Sequence, residues 1–262
     1  MALRSPPIAV VIAARNEAPR LPLLLADLAA APQLVGEILV VDGASDDATV
    51  RVAALAGAAV RASPPGRGRQ LALGVASTGC PWLLLLHADA RLAPGWDRAV
   101  KAALDQADLH ADLQADQRRD QHAEAAWYFD LAIAAAHPAL RLVELAVALR
   151  SRWRQLPYGD QGLLVPRRLL ARAGGVAPIP LMEDLELVLR LRRLSRLRPL
   201  GARLQVDGRR WQALGVWQTA LANARLRRAW RQGLPPEALA ARYYGSAVLE
   251  RRRGGPVRGL TR

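Results

Sequence analysis

The sequence predicts an α/β fold, with a mostly parallel sheet flanked by helices and more helices at the C-terminal end. Three observations predict it. From residue 7 onward, short apolar runs rich in β-branched residues alternate with helical stretches, which is the pattern of βαβ units. Each early run ends at an acid or amide: Asn16 and Glu17, then Asp42, then Asp89. The chain has 262 residues, 52% of them hydrophobic, enough for one large α/β domain or two small ones.

PIAVVIAA (7–14) reads as the first strand, and EAPRLPLLLADLAAA (17–31) as the first helix, with Pro19 tolerated in its opening turn. EILVVDGASDD (37–47) repeats the plan: a strand, a turn at Gly43, and Ser45 or Asp46 as an N-cap. Residues 46–57 follow as the second helix and AAVRAS as a third strand. PPGRGRQ (64–70) reads as a loop opening the helix QLALGVAST, and CPWLLLLHAD (80–89) as the next strand. A helix over 94–105 begins with Pro94 near its first position.

Residues 105–125 carry no apolar stripe and read as a polar insertion or polar helix. Its His110, Asp112, Asp116 and His122 are better explained by a high density of Asp than by a metal site. AWYFDLAI (126–133) resumes as a strand, HPALRLVELAVALRSRW (137–153) as an amphipathic helix, and YGDQGLLVPRRLLARAGG (158–175) as loop, strand and helix ending at Gly-Gly. IPLMEDLELVLRLRRL (179–194) feeds a helix with acids in its first turn. Residues 196–208 read as a strand pair or extended segment, and 212–232 and 235–253 as two terminal helices.

Cys80 is the only cysteine, so no internal disulfide forms and a reducing compartment fits. The apolar run at 7–14 is short and meets Arg15, Asn16 and Glu17 at once, which suits a strand better than a signal peptide. No run of about 18 uncharged apolar residues appears, so no spanning helix is expected. A cytoplasmic protein is the expectation.

The net charge of +14 is placed unevenly. Residues 1–185 hold 19 Lys and Arg against 19 Asp and Glu, whereas residues 186–262 hold 18 Arg against 4 acids. A basic region of this kind calls for an anionic neighbour: a membrane surface, a phosphorylated substrate or nucleic acid. The terminal helices mix Arg225, Arg227, Arg228 and Arg231 with Trp217, Trp230, Tyr243 and Tyr244. That mixture suits peripheral attachment to anionic lipid. It equally suits a helix pair packed on the rest of the chain with its aromatics inside. Nucleic acid is disfavoured, because strand-end acids would repel a phosphate backbone.

In open α/β sheets, ligands bind beyond the carboxyl ends of the strands. Asp42 and Asp89 stand there, and neither helps a core. The segments VVIAARNEA, ILVVDGASDDAT, GRGRQLALGVA, LLLLHADARL, YGDQGLLV and MEDLELVLRL, in that order, resemble family 2 glycosyltransferases of the GT-A fold. More narrowly, they resemble the small bacterial subgroup of transferases associated with radical-SAM and selenodomain proteins. The resemblance spans most of residues 7–232.

It implies a GT-A, Rossmann-type catalytic domain over residues 1–211. Within it lie a nucleotide-binding half (7–104), a variable insertion (105–125) and an acceptor half (126–211), and a basic helical extension (212–262) follows. It also implies transfer of a sugar from a nucleotide-diphosphate donor, UDP-type by preference, to an acceptor that the sequence does not name. By motif match, Glu17 and Asp42 contact the nucleoside, with Ala13 and Arg15 lining the pocket. Glu17 is equally placed to open a helix, where an acid is favoured, and Asp46 and Asp47 suit helix capping.

Arg67 and Arg69, on a glycine-bearing loop before a helix, suit a pyrophosphate. Asp89 is the metal-binding acid of a DXD-type motif whose first acid is here His87, and the metal is Mg²⁺ or Mn²⁺. Glu183 and Asp184 are the catalytic acid pair of an inverting transfer, with Asp184 the matching base; the same pair is well placed to stabilise a helix N-terminus. Gly159, Asp160 and Gln161 line the acceptor side. A QXXRW-type motif is matched one residue out of step: three residues, not two, separate Gln205 from Arg209, while Arg210–Trp211 preserves the dipeptide, and Arg210 is assigned to the diphosphate.

Two other functions fit less well. A sugar-phosphate nucleotidyltransferase usually carries a glycine-rich loop with a lysine after its first strand, and AARNEAPR has neither. A non-enzymatic basic module for membrane or nucleic acid leaves the strand-end acids unexplained.

Overall fold

The computed structural model describes residues 7–114 and 124–243. Its first half alternates strand and helix as expected: β1 (Ile8–Ala14), α1 (Leu21–Ala29), β2 (Val35–Asp42), α2 (Thr49–Leu55), β3 (Ala59–Ala62), α3 (Arg67–Ala76) and β4 (Trp82–His87). Then come β5 (Ala90–Leu92), α4 (Trp96–Gln114), β6 (Ala125–Ala134), α5 (Ala139–Arg154), a 3-10 turn (Gly159–Gln161), β7 (Leu163–Pro166) and α6 (Arg167–Arg172). The chain continues through α7 (Glu183–Leu194), β8 (Arg196–Asp207), α8 (Arg209–Leu214) and α9 (Val216–Arg231). Residues 236–243 are also helical.

All eight strands join one sheet in the order β3-β2-β1-β4-β7-β6-β8-β5. The β3-β2-β1-β4 portion is parallel throughout, as is the β6–β8 pair. β7 runs antiparallel to β4 and β6, and β5 antiparallel to β8, so the sheet is mixed. Register aligns the ends that matter. Ala14 pairs with Asp42, and Ala13 pairs with His87, which brings the C-termini of β1, β2 and β4 to one rim.

The apolar character of β1 follows from burial on both faces. Ile8, Val10 and Ile12 pack with Leu21, Leu24 and Leu28 of α1. The alternate residues, Ala9 and Val11, join the cluster that holds Leu71 of α3 and Leu185, Val188 and Leu191 of α7. Helix α3 lies close on the sheet, because a Cβ on Gly74 would stand 2.3 Å from Val11 Cγ1.

Several expectations shift. Residues 17–20 form turns and α1 starts at Leu21, with Pro22 in its first turn. Gly66 has φ +140° and α3 begins directly after it, so Arg67 and Arg69 lie in a helical first turn rather than a loop. α4 continues through Gln114, well into the expected insertion. A polar face sustains it because a helix needs only one apolar side to dock, and Val100, Ala103 and Leu104 supply it. His110 and Asp112 fall on the end of α4, and Asp116 and His122 lie outside the described residues.

Residues 196–207 form one strand, not a pair. Its register against β6 slips between Tyr128 and Asp130, opposite Pro199 to Arg203, where Gly201 has φ +74°. The single helix expected over 212–232 is divided at Gly215, φ +82°. These terminal helices pack inward. Val216 joins Leu131, Ile133, Leu140 and Val147 in one cluster; Leu239, Ala240 and Tyr243 meet Leu181, Met182 and Trp230 in another. Residue 211, the expected boundary, lies inside α8. Tyr244 lies outside the described residues. Among the described residues no helix is long and apolar enough to cross a membrane.

Candidate active site

Three strand ends and the start of α7 converge. The loops after β1 and β2 are tied together by short polar side chains. Asp42, buried at the end of β2, accepts hydrogen bonds from the Ser45 N–H (3.0 Å) and the Ser45 hydroxyl. Ser45 Oγ accepts from the Asn16 N–H at 2.9 Å, and Asn16 Oδ1 from the Asp46 N–H at 3.0 Å. Ser45 is therefore a stitch between loops rather than a helix cap. Asp47 is not the cap of α2, whose N-cap is Ala48 without a side-chain cap; it accepts from the Thr49 N–H at 2.9 Å and, across to the loop after β1, from the Ala18 N–H at 3.1 Å. Behind this loop, buried Gln70 of α3 donates to the carbonyls of Ala14 (2.8 Å) and Val41 (2.7 Å). It fits because Gly43 has no side chain; a Cβ there would stand 2.9 Å from the Gln70 amide. Ala13 is half-buried beside this loop and Arg15 is exposed.

Around Asp89 the structure gathers charge. Glu17 Oε1 accepts from Arg209 Nη2 at 2.6 Å, and the same guanidinium stands 3.8 Å from Asp89 Oδ2. Arg20 pairs with Asp207 and also with Glu17, at 3.3 Å. Asp207 accepts from the Arg209 N–H at 2.7 Å. Burial pushes the Asp89 carboxyl up, Glu17 and Asp207 push it further, and Arg209 opposes them. The arginine beside Asp89 is thus Arg209. Arg210, assigned from sequence to the diphosphate, instead stacks on the Tyr243 ring, 4.1 Å from its centroid. Consecutive arginines leave a helix in different directions, and the motif spacing alone does not say which of them turns toward the acids. The turn into α8 needs Gly208, where a Cβ would meet the Ala134 carbonyl at 2.6 Å.

The second focus is the acid pair at the start of α7. Met182 has φ +67°, a left-handed conformation rare for a long side chain, and it turns the chain directly into Glu183 and Asp184. Glu183 is buried, 1% exposed, and pairs with Arg67 Nε; its Oε2 has no hydrogen-bond partner among the described residues. Arg67 therefore turns inward to the acids, while Arg69 is exposed. Gly68 permits this, because a Cβ there would stand 2.4 Å from the Ala177 and Ile179 carbonyls.

Asp184 Oδ2 accepts from the Gly159 N–H at 2.8 Å, and its Oδ1 from the Leu185 N–H at 2.7 Å, with Arg67 Nη2 3.7 Å away. Burial pushes the Asp184 carboxyl up, but Arg67 and those two N–H groups outweigh it and hold the acid below the usual range. Glu183 goes the other way: burial raises it more than Arg67 lowers it. His87 shares this corner. A Cβ on Gly159 would stand 2.8 Å from His87 Nε2 and 3.1 Å from Asp184 Oδ2, so only glycine lets the turn approach. Burial and Arg67 push the imidazole down to about 3, so it is neutral.

Of the expected acceptor-side residues, Gly159 and Asp160 reach this corner. Asp160 Oδ1 is buried without a hydrogen-bond partner among the described residues. Gln161 is fully buried, and its amide is used inside: its oxygen accepts from Ser151 Oγ (2.8 Å) and its nitrogen donates to the Phe129 carbonyl (3.1 Å). A cavity of about 40 Å³, lined by His87, Tyr158, Gly159, Glu183, Asp184 and apolar neighbours such as Leu86, opens beside the pair.

Among the described residues no group of three or more His, Cys, Asp or Glu side chains stands close enough to hold a metal ion. Asp89 offers one hard oxygen donor in a corner rich in carboxylates. That fits a divalent ion completing its shell with diphosphate and water oxygens, and does not fit an all-protein cage.

Residues 9–132 match the sequence model of Glycosyl transferase family 2. No curated protein matches the chain. Among solved structures, the first 349 residues of S. aureus TarS in complex with UDP-GlcNAc superpose with a TM-score of 0.56 at 14% identity, over 76% of this chain and 58% of that one. Glucosyl-3-phosphoglycerate synthase from Mycobacterium tuberculosis, in complex with Mn²⁺, UDP and glucosyl-3-phosphoglycerate, gives 0.52 at 21% identity, over 87% and 80% of the two chains. A mycobacterial protein gives 0.51 at 22% identity, over 76% and 65%. The chain thus spans 58% of the TarS fragment's length. The fold is that of GT-A glycosyltransferases such as TarS and the Mycobacterium tuberculosis synthase, and the family match supports a glycosyltransferase.

Proposed function

We propose that the chain is an inverting glycosyltransferase using a nucleotide-diphosphate sugar, UDP-type by preference. On its six ordered motifs we place it nearest the radical-SAM-associated subgroup. One observation carries the reading: Asp184 is kept ionised by two backbone N–H groups and Arg67 beside a small cavity, next to neutral His87. In the step proposed, the acceptor hydroxyl oxygen attacks the anomeric carbon, the bond from that carbon to the β-phosphate oxygen breaks, and the nucleoside diphosphate leaves. Asp184 takes the hydroxyl proton as the new bond forms, when that proton becomes acidic. A base held below the usual carboxylate range suits such late transfer. Glu183, paired with Arg67, holds that guanidinium beside Asp184.

Asp42, Glu17 and Ala13 border the nucleoside, and Arg15 lies at its exposed edge. Asp89 would hold Mg²⁺ or Mn²⁺, which would neutralise the departing diphosphate. His87, neutral and enclosed, packs against the acceptor turn instead of ligating. That TarS was solved with UDP-GlcNAc and the Mycobacterium tuberculosis synthase with UDP and Mn²⁺ supports this donor and metal class. The test is a thermal-shift titration of UDP with Mn²⁺. Asp89→Asn should keep the fold and lose the Mn²⁺-dependent part of the shift. An unchanged Mn²⁺ response in that variant would remove Asp89 from the metal site.

A second reading concerns location. Helix α5 exposes Leu142, Leu145, Leu149 and Trp153, the last 80% accessible, at the 3-4-4 spacing of one helical face. α9, in contact with α5, adds exposed Trp217 and Leu221. Exposed Arg225, Arg228 and Arg231 lie on α9. An apolar stripe beside arginines without an ion pair among the described residues suits an anionic bilayer. The face proposed is therefore α5 with the start of α9, because Trp230 is packed inward and Tyr243 lies beneath Arg210. Co-sedimentation with anionic vesicles should fall sharply in Leu145→Ser/Trp153→Ser; equal sedimentation of the variant would discard this face.

A further inference from the structure

Two arginines outside the assigned machinery meet at one ring beside the acid pair. The Arg150 guanidinium lies 3.7 Å from the centroid of Tyr158, and that of Arg227 lies 5.6 Å from the same centroid. Arg150 is held in place: its Nε donates to the Leu156 carbonyl at 2.9 Å and its Nη2 to Gln161 Oε1 at 3.2 Å. Tyr158 lines the cavity that contains His87, Glu183 and Asp184, and the residue after it donates to Asp184.

Like charges brought this close repel, and a fold keeps them there only where something compensates. Among the described residues neither Arg150 nor Arg227 forms an ion pair, in contrast to Arg67, Arg20 and Arg209 in the same region. Burial and Arg227 disfavour the charged form of Arg150, and two carboxylates, Asp160 and more weakly Asp184, oppose them. Asp184 is already engaged by Arg67 and two backbone N–H groups, and neither acid stands within ion-pair distance of either arginine among the described residues. Asp160 Oδ1 is buried without a partner, so the corner lacks both a donor for Asp160 and an anion for the arginines. A hydroxylated molecule carrying an oxyanion supplies both.

We propose that Arg150 and Arg227, stacked on Tyr158, form an oxyanion subsite on the acceptor side, and that the acceptor carries a phosphate or carboxylate. Bidentate guanidinium contacts suit either group. The position argues for the acceptor rather than the donor. Asp42 and Glu17 lie where β2 and β1 end, on one side of β4, whereas Tyr158 leads into β7 on its other side. Arg227 comes from α9, so the basic C-terminal region completes the site. The inference rests on the glycosyltransferase reading only in calling this anion the acceptor's.

The test is calorimetric titration of inorganic phosphate, and separately acetate, into the full chain saturated with UDP and Mn²⁺. Wild type should bind at least one of the two anions with UDP in place. Arg227→Gln should weaken that binding about tenfold or more while leaving UDP affinity and the melting temperature unchanged, since the contact described for Arg227 is the ring alone. Arg150→Gln should do the same, with some loss of stability, and Arg227→Lys should lose less. Unchanged anion binding in both glutamine variants overturns the subsite. So does displacement of the anion by UDP, which would assign the arginines to the diphosphate. If wild type binds no UDP, the donor reading fails instead, and titration of the nucleotide-free chain still decides the subsite.

Discussion

Asp184→Asn is expected to lower kcat for sugar transfer by about 10²- to 10⁴-fold, the usual contribution of a general base, with the donor KM unchanged. The amide keeps the shape of the carboxylate. Its oxygen can accept from either Gly159 or Leu185, the two N–H groups that now hold Asp184. The fold therefore survives, and the loss lies in chemistry. Single-turnover transfer with UDP-sugar, alongside a UDP-binding control, reads the two apart. Transfer at the wild-type rate in this variant would end the assignment of Asp184 as base.

Arg67→Met is expected to destabilise the fold by about 3–5 kcal/mol at neutral pH, because it leaves a buried carboxylate without its cation. Glu183 is 1% exposed at its side chain and Arg67 only 27%, so solvent screens the pair little. The pH dependence has a definite sign. Glu183 already titrates above the ordinary carboxylate range, and without Arg67 it rises further. A group raised in the folded state favours folding when protonated. The penalty is therefore full above that raised value and shrinks as pH falls through it. Arg67→Met/Glu183→Gln should recover much of the loss, since the Glu183 charge is then no longer stranded and Asp184 keeps its two N–H donors. Urea denaturation at neutral and mildly acidic pH checks both statements. A single-variant penalty independent of pH would show that the buried charge is not its source.

Much of the parallel half was legible because its signals are local. PIAVVIAA and LLLLH are continuous apolar runs, and only a strand buried on both faces calls for them; Asp42 and His87 then fall at strand ends by counting alone. The convergence of Asp89, Asp160 and Asp184 with their partners was less legible. Asp89 and Arg209, 120 positions apart in the chain, meet at 3.8 Å because β5 pairs with β8 and brings the Asp207–Arg209 turn over the rim. Neither the composition nor the spacing of QVDGRRW says which of two arginines faces inward; the Gly208 turn decides. GRGRQ looked like an open phosphate loop. Helical phase, set by Gly66, sends Arg67 to the acid pair and Arg69 to solvent.

The amino-acid sequence by itself determined the class of the fold, the rim on which the acids stand and the chemistry those residues are able to perform. Those depend on hydrophobic period and on residue type, which are local. Only the tertiary structure decided which cation meets which anion. It also decided that the arginine-rich C-terminal helices close over Tyr158 and Met182 rather than trail from the domain. Ion pairing and burial are set by approach in space, and a strand crossover or a single glycine φ can redirect them without any trace in local pattern.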